Sequence, residues 1–312
     1  MELSLISIKI IISGLDNAGK TSILTAFDKR YNFEQEIKEI RPTRKIEYHK
    51  TQFLKKSVSF WDMGGQERYR DVYKTDPDLY FANTDLLLYI IDIQDRSRFK
   101  LTLEYLNVIL EYFKKNNMNV PLIVAFHKLD PQLKDNEELI ENIDVLIKTI
   151  IKIEQLKKVF LDTSIYDVFS IVQLISEVAS VFDDHYLEIY VCLEEFLMDL
   201  ECISLILFDH NGTIISENYS DSIDFNLYLK LMSSIKEYII QLKKIQEENS
   251  EIDSQFTQID DSLLSYWHQI IFKDQTFYIF ALIKKEVKPS FLKKFPKFLK
   301  RLNKILKPIF SK

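Results

Sequence analysis

Apolar positions in the first half of the chain follow two alternating patterns. The runs Ile6–Ser13, Val58–Trp61, Asp85–Ile91, Leu122–Phe126 and Val159–Leu161 are short, apolar and rich in β-branched residues. Strands buried on both faces have this character. Amphipathic stretches lie between them. "TSILTAFDKRY" is the first. "SRFKLTLEYLNVILEYFKKNN" places Phe99, Leu103, Leu106, Leu110 and Phe113 at helical spacing, and "NEELIENIDVLIKTIIKIEQLKK" does the same with Leu139, Ile143, Leu146, Ile147 and Ile150. The alternation predicts an α/β fold, a mostly parallel sheet with helices on both faces.

After the helical stretch "DVFSIVQLISEVAS" the order changes. "HYLEIYVCLEEFLMDL" reads as a helix, "ECISLILFD" as a strand, "HNG" as a hairpin turn and "TIISE" as the partner strand. A long amphipathic helix, "DFNLYLKLMSSIKEYIIQLKKIQEE", follows. "SLLSYWHQIIFK" and "QTFYIFALIKK" then pair across a turn, and a last helix ends the pattern. The order α-β-β-α-β-β-α, with room for one more strand, predicts a small antiparallel α+β domain. Its boundary is placed near Val181–Asp184, dividing the chain into residues 1–182 and 183–312.

Composition narrows the classes. The 312 residues are 46% apolar, ample for two packed cores. Two cysteines, Cys192 and Cys202, are too few for a disulfide framework or a zinc site, as expected for a reducing cytosol. No signal-peptide pattern and no apolar run of spanning length is present, and residue 2 is Glu, so N-myristoylation is not expected. The expected location is therefore cytoplasmic.

The candidate chemistry begins at "GLDNAGKT", directly after the first strand. A glycine-rich turn between strand and helix points backbone N–H groups at an anion, beside the positive end of the helix. Gly14, Asp16, Asn17, Ala18, Gly19, Lys20, Thr21 and Ser22 form the candidate phosphate cradle. Lys20 reaches the outer phosphates and the Thr21 hydroxyl is a magnesium ligand. "WDMGGQER" follows at the end of another strand. There Asp62 is the second magnesium-side residue, Gly65 the sensor of a γ-phosphate and Gln66 the residue that orients an attacking water. Thr43, in "RPTRKIEY", is a further candidate magnesium ligand on a loop. Lys20, Thr43 and Gln66 form the candidate catalytic set. Arg41 is read as a solvated loop residue, with charge stabilisation in cis as the alternative.

The base is read from "HKLD", His127 to Asp130. A carboxylate only accepts hydrogen bonds. Guanine offers it two adjacent donors, whereas adenine presents an acceptor there, so Asp130 selects guanine. The Lys128 stem lies along the base. In "TSIYD", backbone N–H groups at Ser164 and Ile165 are placed to meet the guanine carbonyl.

Five motifs in this order resemble the Ras superfamily of small GTPases over residues 1–182. "GLDNAGKT" and "WDMGGQ" are similar to the Arf family. "HKLD", with His127 where Asn is usual, and "TSIYD" are similar to Rag/Gtr GTPases. The resemblance implies a P-loop GTPase fold, bound GTP or GDP with Mg²⁺, slow hydrolysis without an activator, and exchange and activating factors as partners. Rag/Gtr proteins carry a C-terminal roadblock domain through which they dimerise. "ISLILFDHNGTIIS" in its context is similar to such a roadblock/longin-like domain, implying a homodimer or heterodimer. The expected function is a Rag/Gtr-like GTP-hydrolysing switch. The alternatives are a nucleotide-bound dimerisation scaffold with little hydrolysis and an Arf-like trafficking switch.

Charge adds one feature. The chain carries −6, but Lys284–Lys312 holds eleven basic residues against the single acid Glu286, a local +10, so the remainder carries −16. In "KPSFLKKFPKFLKRLNKILKPIF", Phe291, Phe295, Phe298, Leu302, Ile305 and Ile309 recur at helical spacing among lysines, and Pro296 is expected to delay or kink the helix. This is read as the last helix of the second domain, with an anionic membrane surface as a candidate partner of its basic face. Nucleic acid is not an expected partner, because the remaining chain is acidic and shows no aromatic–basic stacking surface.

Overall fold

The computed structural model describes residues 7–28, 41–53, 56–153, 157–182, 184–209, 214–220, 254–259, 261–272 and 275–310, together with 223, 227, 231 and 235. The expected turn at 210–212 and most of the expected helix at 224–248 lie outside the described residues. The chain divides into two compact units, Met1–Leu174 and Ile175–Lys312. The division falls before the boundary expected near 182.

The first unit is built on a six-stranded sheet: β1 (Ile8–Ser13), β2 (Ile46–Phe53), β3 (Lys56–Met63), β4 (Leu86–Asp92), β5 (Leu122–His127) and β6 (Lys158–Thr163). The spatial order is β2-β3-β1-β4-β5-β6. Every neighbouring pair is parallel except β2 with β3, which run antiparallel from Ile46 opposite Met63 to Phe53 opposite Lys56. The strand β2 was not expected. Its sequence, "IEYHKTQF", carries charged and polar positions throughout, as an edge strand tolerates and a central strand does not.

The helices of this unit are α1 (Lys20–Asp28), α2 (Glu67–Thr75), α3 (Pro77–Phe81), α4 (Phe99–Lys115) and α5 (Glu137–Ile151), with α6 (Val168–Ser180) at the division. Tyr105, Leu106, Ile109, Leu110 and Phe113 of α4 are buried, whereas Phe99 and Leu103 are only partly so. In α5 the buried stripe is Leu139, Ile143, Leu146 and Ile150, and Asn136 caps the helix by accepting from the Leu139 N–H at 3.1 Å. A charge sits inside this core as well. Lys9 on β1 is buried, and its Nζ donates to the Tyr80 and Ala82 carbonyls at 2.7 and 2.8 Å. Those carbonyls close α3, so the ammonium occupies the negative end of a helix. Burial still pulls its pKa down to about 8, with the Asp85 charge opposing.

This topology locates the site. From β1 the sheet grows through β3 on one side and through β4 on the other, which makes the carboxyl edge of β1 a switch point. Loops leaving that edge open a crevice there, and the ends of β1, β3, β4, β5 and β6 all lie along it.

The second unit carries a five-stranded antiparallel sheet of β7 (Ser204–Asp209), β8 (Ile214–Tyr219), β9 (Ser254–Gln258), β10 (Leu263–Phe272) and β11 (Gln275–Lys284) in the order β8-β7-β11-β10-β9. The expected pairing of the last two long strands holds over its full length, from Leu263 opposite Lys284 to Phe272 opposite Gln275. Two helices, α7 (Asp184–Leu200) and α8 (Lys288–Phe310), pack together; the Phe196 and Phe298 rings stack with centroids 4.2 Å apart. Pro296 neither delays nor ends α8, and its side chain is exposed. The buried stripe of α8 is Phe291, Phe295, Phe298, Leu302 and Leu306; the expected Ile305 and Ile309 are half-buried beside it. Both cysteines are free and buried, and burial raises the Cys192 thiol to about 11 and the Cys202 thiol to about 12.

Phe291 is fully buried against Phe196, Tyr266 and Phe295, whereas its neighbour Leu292 is 47% exposed. Phe291→Ala is expected to destabilise the second unit by about 3–5 kcal/mol, and Leu292→Ala by roughly 0.5 kcal/mol or less. Urea unfolding of the two variants checks the contrast.

Candidate functional site

The turn after β1 and the first turn of α1 wrap a space into which Lys20 is folded. The ammonium is buried, with Nζ donating to the Leu15 and Gly14 carbonyls at 2.7 and 3.2 Å. Burial lowers its pKa to about 8, and the nearby charges of Asp62 and Asp16 oppose that fall. A buried cation held only by neutral carbonyls is a strong partner for an anion arriving at the same turn. An open cavity of about 300 Å³ lies there, lined by Asp16, Asn17, Gly19, Lys20, Thr21, Ser22, Arg41, Pro42, Thr43, Gly65 and Gln66.

Three segments distant in sequence bring oxygen atoms together on one side of this cavity. The Thr21 hydroxyl donates to Asp62 Oδ2 at 2.6 Å, Thr43 Oγ1 donates to the same oxygen at 2.9 Å, and the two hydroxyls are 2.8 Å apart. Asp62 is fully buried, and its Oδ1 meets no donor among the described residues. Two hydroxyls and a carboxylate with an unsatisfied oxygen are hard donors that suit Mg²⁺. Ala18, in the same turn as Gly19, is buried.

The segment after β3 closes over the cradle. A Cβ on Gly65 would lie 2.2 Å from the Asp16 nitrogen and 2.3 Å from the Leu15 carbonyl carbon, so only glycine lets the two turns approach this closely. Arg70, itself buried, donates from Nε to the Gly65 carbonyl at 3.0 Å. The Gly64 N–H donates to the Lys45 carbonyl at 2.7 Å, and the Tyr73 hydroxyl donates to that same oxygen. Lys45 precedes β2, so this unexpected strand carries the Thr43 loop and anchors it to the Gly64–Gly65 turn. Arg41, ahead of Thr43, is exposed and lines the cavity.

The ends of β5 and β6 form the second part of the site. Asp130 accepts a hydrogen bond from the Ser164 hydroxyl at 2.6 Å through Oδ1. Lys128 has φ 71° and pairs with Asp92 at 2.6 Å, while the Gln94 side chain donates to the Lys128 carbonyl at 2.7 Å. The Ser164 N–H, an expected donor to a base carbonyl, donates to the Ser170 hydroxyl at 3.0 Å. Among the described residues nothing takes the Ile165 N–H, which leaves that expected donor available.

His127 links the two parts. Its Nδ1 lies 3.0 Å from the Thr163 hydroxyl, and a Cβ on Gly19 would fall 2.3 Å from its Cδ2 and 2.6 Å from its Nε2. Gly19 therefore supplies both the close approach and the φ of +94° that other residues avoid. Burial, reinforced by the Lys128 charge, lowers the imidazole pKa to about 3, so the ring is neutral near pH 7.

Sequence reading missed Arg98 and Asp92. Arg98 donates to the Asp16 carbonyl at 3.0 Å and pairs with its carboxylate, bracing the phosphate turn from the loop before α4. Burial pushes the Asp16 carboxyl up, but the hydrogen bond and charge of Arg98 outweigh it and hold the group below the usual range. Asp92 ends an apolar strand, as Asp62 nearly does, and that position was the available signal; Arg98 left none.

Parallel strands whose carboxyl ends deliver a phosphate turn, a buried lysine and a carboxylate define a P-loop GTPase fold. Residues 1–168 match the family model described as Arf, ADP-ribosylation factor family. That is more than half of the chain, and the chain belongs to the Arf family of small GTPases, whose members bind GTP and GDP and hydrolyse GTP. Among solved structures, the Arl6 BBS3 small GTPase from Trypanosoma brucei with bound nucleotide analogue GppNp is similar at 19% identity and a TM-score of 0.43, over 56% of this chain and 98% of that one. No helix among the described residues is long and apolar enough to cross a membrane.

The neutral state of His127 has a consequence for stability. With a folded pKa near 3 against about 6.5 unfolded, the unfolded chain binds a proton that the folded chain excludes. This contribution is fully present above about pH 6.5 and is lost as pH falls toward 3. Between about pH 6 and pH 4, wild type is expected to lose stability faster than His127→Asn by about 1.4 kcal/mol per pH unit. Urea titrations of both proteins across that range measure the difference.

Proposed function

We propose that this Arf-family protein is a GTP-hydrolysing switch of the Rag/Gtr-like kind, with its second unit a roadblock-like dimerisation domain. The carrying observation is the junction of Thr21, Thr43 and Asp62 beside Lys20, with Gly65 and Gln66 on the same cavity. Thr21, Thr43 and Asp62 would hold Mg²⁺, which when bound supplies positive charge against the phosphate oxygens. Lys20 stabilises charge developing on the outer phosphates, and Gln66 orients a water for in-line attack on the γ-phosphorus. Asp130 accepts from the two guanine donors, and the Lys128 stem flanks the base. The Thr43 loop and the segment from Gly65 to Arg70, which enters α2, are the elements that γ-phosphate holds and hydrolysis releases. His127 at the usual asparagine position and an α+β second unit with a five-stranded sheet support the Rag/Gtr-like reading.

Calorimetric titration of the full chain is expected to show GTP bound at least about 100-fold more tightly than ATP, since adenine would leave Asp130 unpaired. Asp130→Asn should move the preference toward xanthosine triphosphate, whose C2 carbonyl accepts from the new amide. ATP bound as tightly as GTP removes the guanine assignment.

Single-turnover phosphate release separates a switch from a nucleotide-bound scaffold. Gln66→Leu is expected to slow release by about tenfold or more while leaving GTP binding within about twofold. Equal slow release from both proteins favours the scaffold, and light-scattering mass of the full chain reports dimerisation.

A further inference from the structure

The last helix presents two faces with different fates. Its apolar stripe is consumed by the second unit: Phe291 and Phe295 lie with ring centroids 5.0 Å from Tyr266 of β10, and Phe298 stacks on Phe196 of α7. Opposite it, Lys293, Lys297, Lys300, Lys304 and Lys307 succeed one another by steps of four, three, four and three residues, and all five are exposed. That spacing keeps them on one line, about 21 Å long at helical rise. No acid occurs after Glu286. Two further cations on the flank of the stripe, Lys294 and Arg301, pair with Asp199 and Glu195 of α7, the first at 2.8 Å. No ion pair among the described residues engages the five lysines.

We propose that this lysine line is a docking surface for anionic lipid bilayers, acting by charge without insertion. A helix that inserts must have its apolar face free, and here that face is packed. What remains is attraction between fixed lysines and a sheet of negative headgroups. The composition of the line favours lipid over an acidic protein. Protein interfaces concentrate arginine and aromatic anchors and are depleted in lysine, whereas diffuse headgroups need only accumulated charge. The proposal is independent of the nucleotide site.

Co-sedimentation of the full chain with phosphatidylcholine vesicles, with and without phosphatidylserine, tests it. Wild type is expected to pellet only with the anionic vesicles and to be released as salt is raised past the physiological range. Replacing all five lysines by glutamine keeps helix propensity and should weaken binding by at least about tenfold, and by up to on the order of 10³-fold if the charges act additively. The five-fold Lys→Arg variant should bind as wild type does. An unchanged circular dichroism spectrum and unchanged GTP binding show that the glutamine variant is folded. Equal sedimentation of wild type and the glutamine variant overturns the proposal, as does equal binding to neutral vesicles. Binding to polyglutamate without binding to phosphatidylserine vesicles assigns the line to an acidic polypeptide and also overturns it.

Discussion

The Lys20 ammonium is buried beside an open cavity, and its hydrogen bonds go to two backbone carbonyls. Burying an ammonium this way costs several kcal/mol unless an opposite charge is near. The lowered pKa of the group records that cost. The rest of the first unit is arranged about this point: the N-terminus of α1 begins at the lysine itself, Asp62 sits within its field, and the cavity opens beside it. A phosphate chain is the ligand that satisfies all three, which is why the binding function and the local architecture share one cause.

Around that charge, the site is held by contacts between segments rather than within them. Thr21 belongs to α1, Thr43 to the loop before β2 and Asp62 to the end of β3, and they meet through a single carboxylate oxygen. The Lys45 carbonyl then gathers Gly64 and Tyr73, and Arg70 returns to the Gly65 carbonyl. These bonds tie α1, the loop before β2, the turn after β3 and α2 to one another and to Asp62 at the end of β3. Such a construction lets the turns leave while the sheet stays, since breaking them exposes few apolar groups. His127 binds the base side to the phosphate side with a neutral ring packed under Gly19, where the two halves of the site are only a side chain apart.

In the second unit the same helix satisfies two unlike demands. The aromatic residues of α8 close a core against the five-stranded sheet and α7, while its lysines face water. The ion pairs to Asp199 and Glu195 sit at the border between those faces. The last segment of the chain therefore concentrates positive charge in a sequence that is otherwise acidic.

Much of this was legible in the residues alone. Apolar β-branched runs marked five of the six strands of the first sheet, because a strand buried on both faces has nowhere to place polar groups. The chemistry-bearing residues followed those runs at fixed distances, because a parallel sheet delivers its functional groups at strand ends. What pattern could not supply was pairing. The polar strand β2 is a strand only because β3 offers it an edge, and the Arg98–Asp16 contact joins segments whose meeting no local signal records. Periodicity identified an apolar face on α8 but not its centre: Leu306 is buried where Ile305 and Ile309 were expected, because the roll of a helix is decided by the neighbours it packs against.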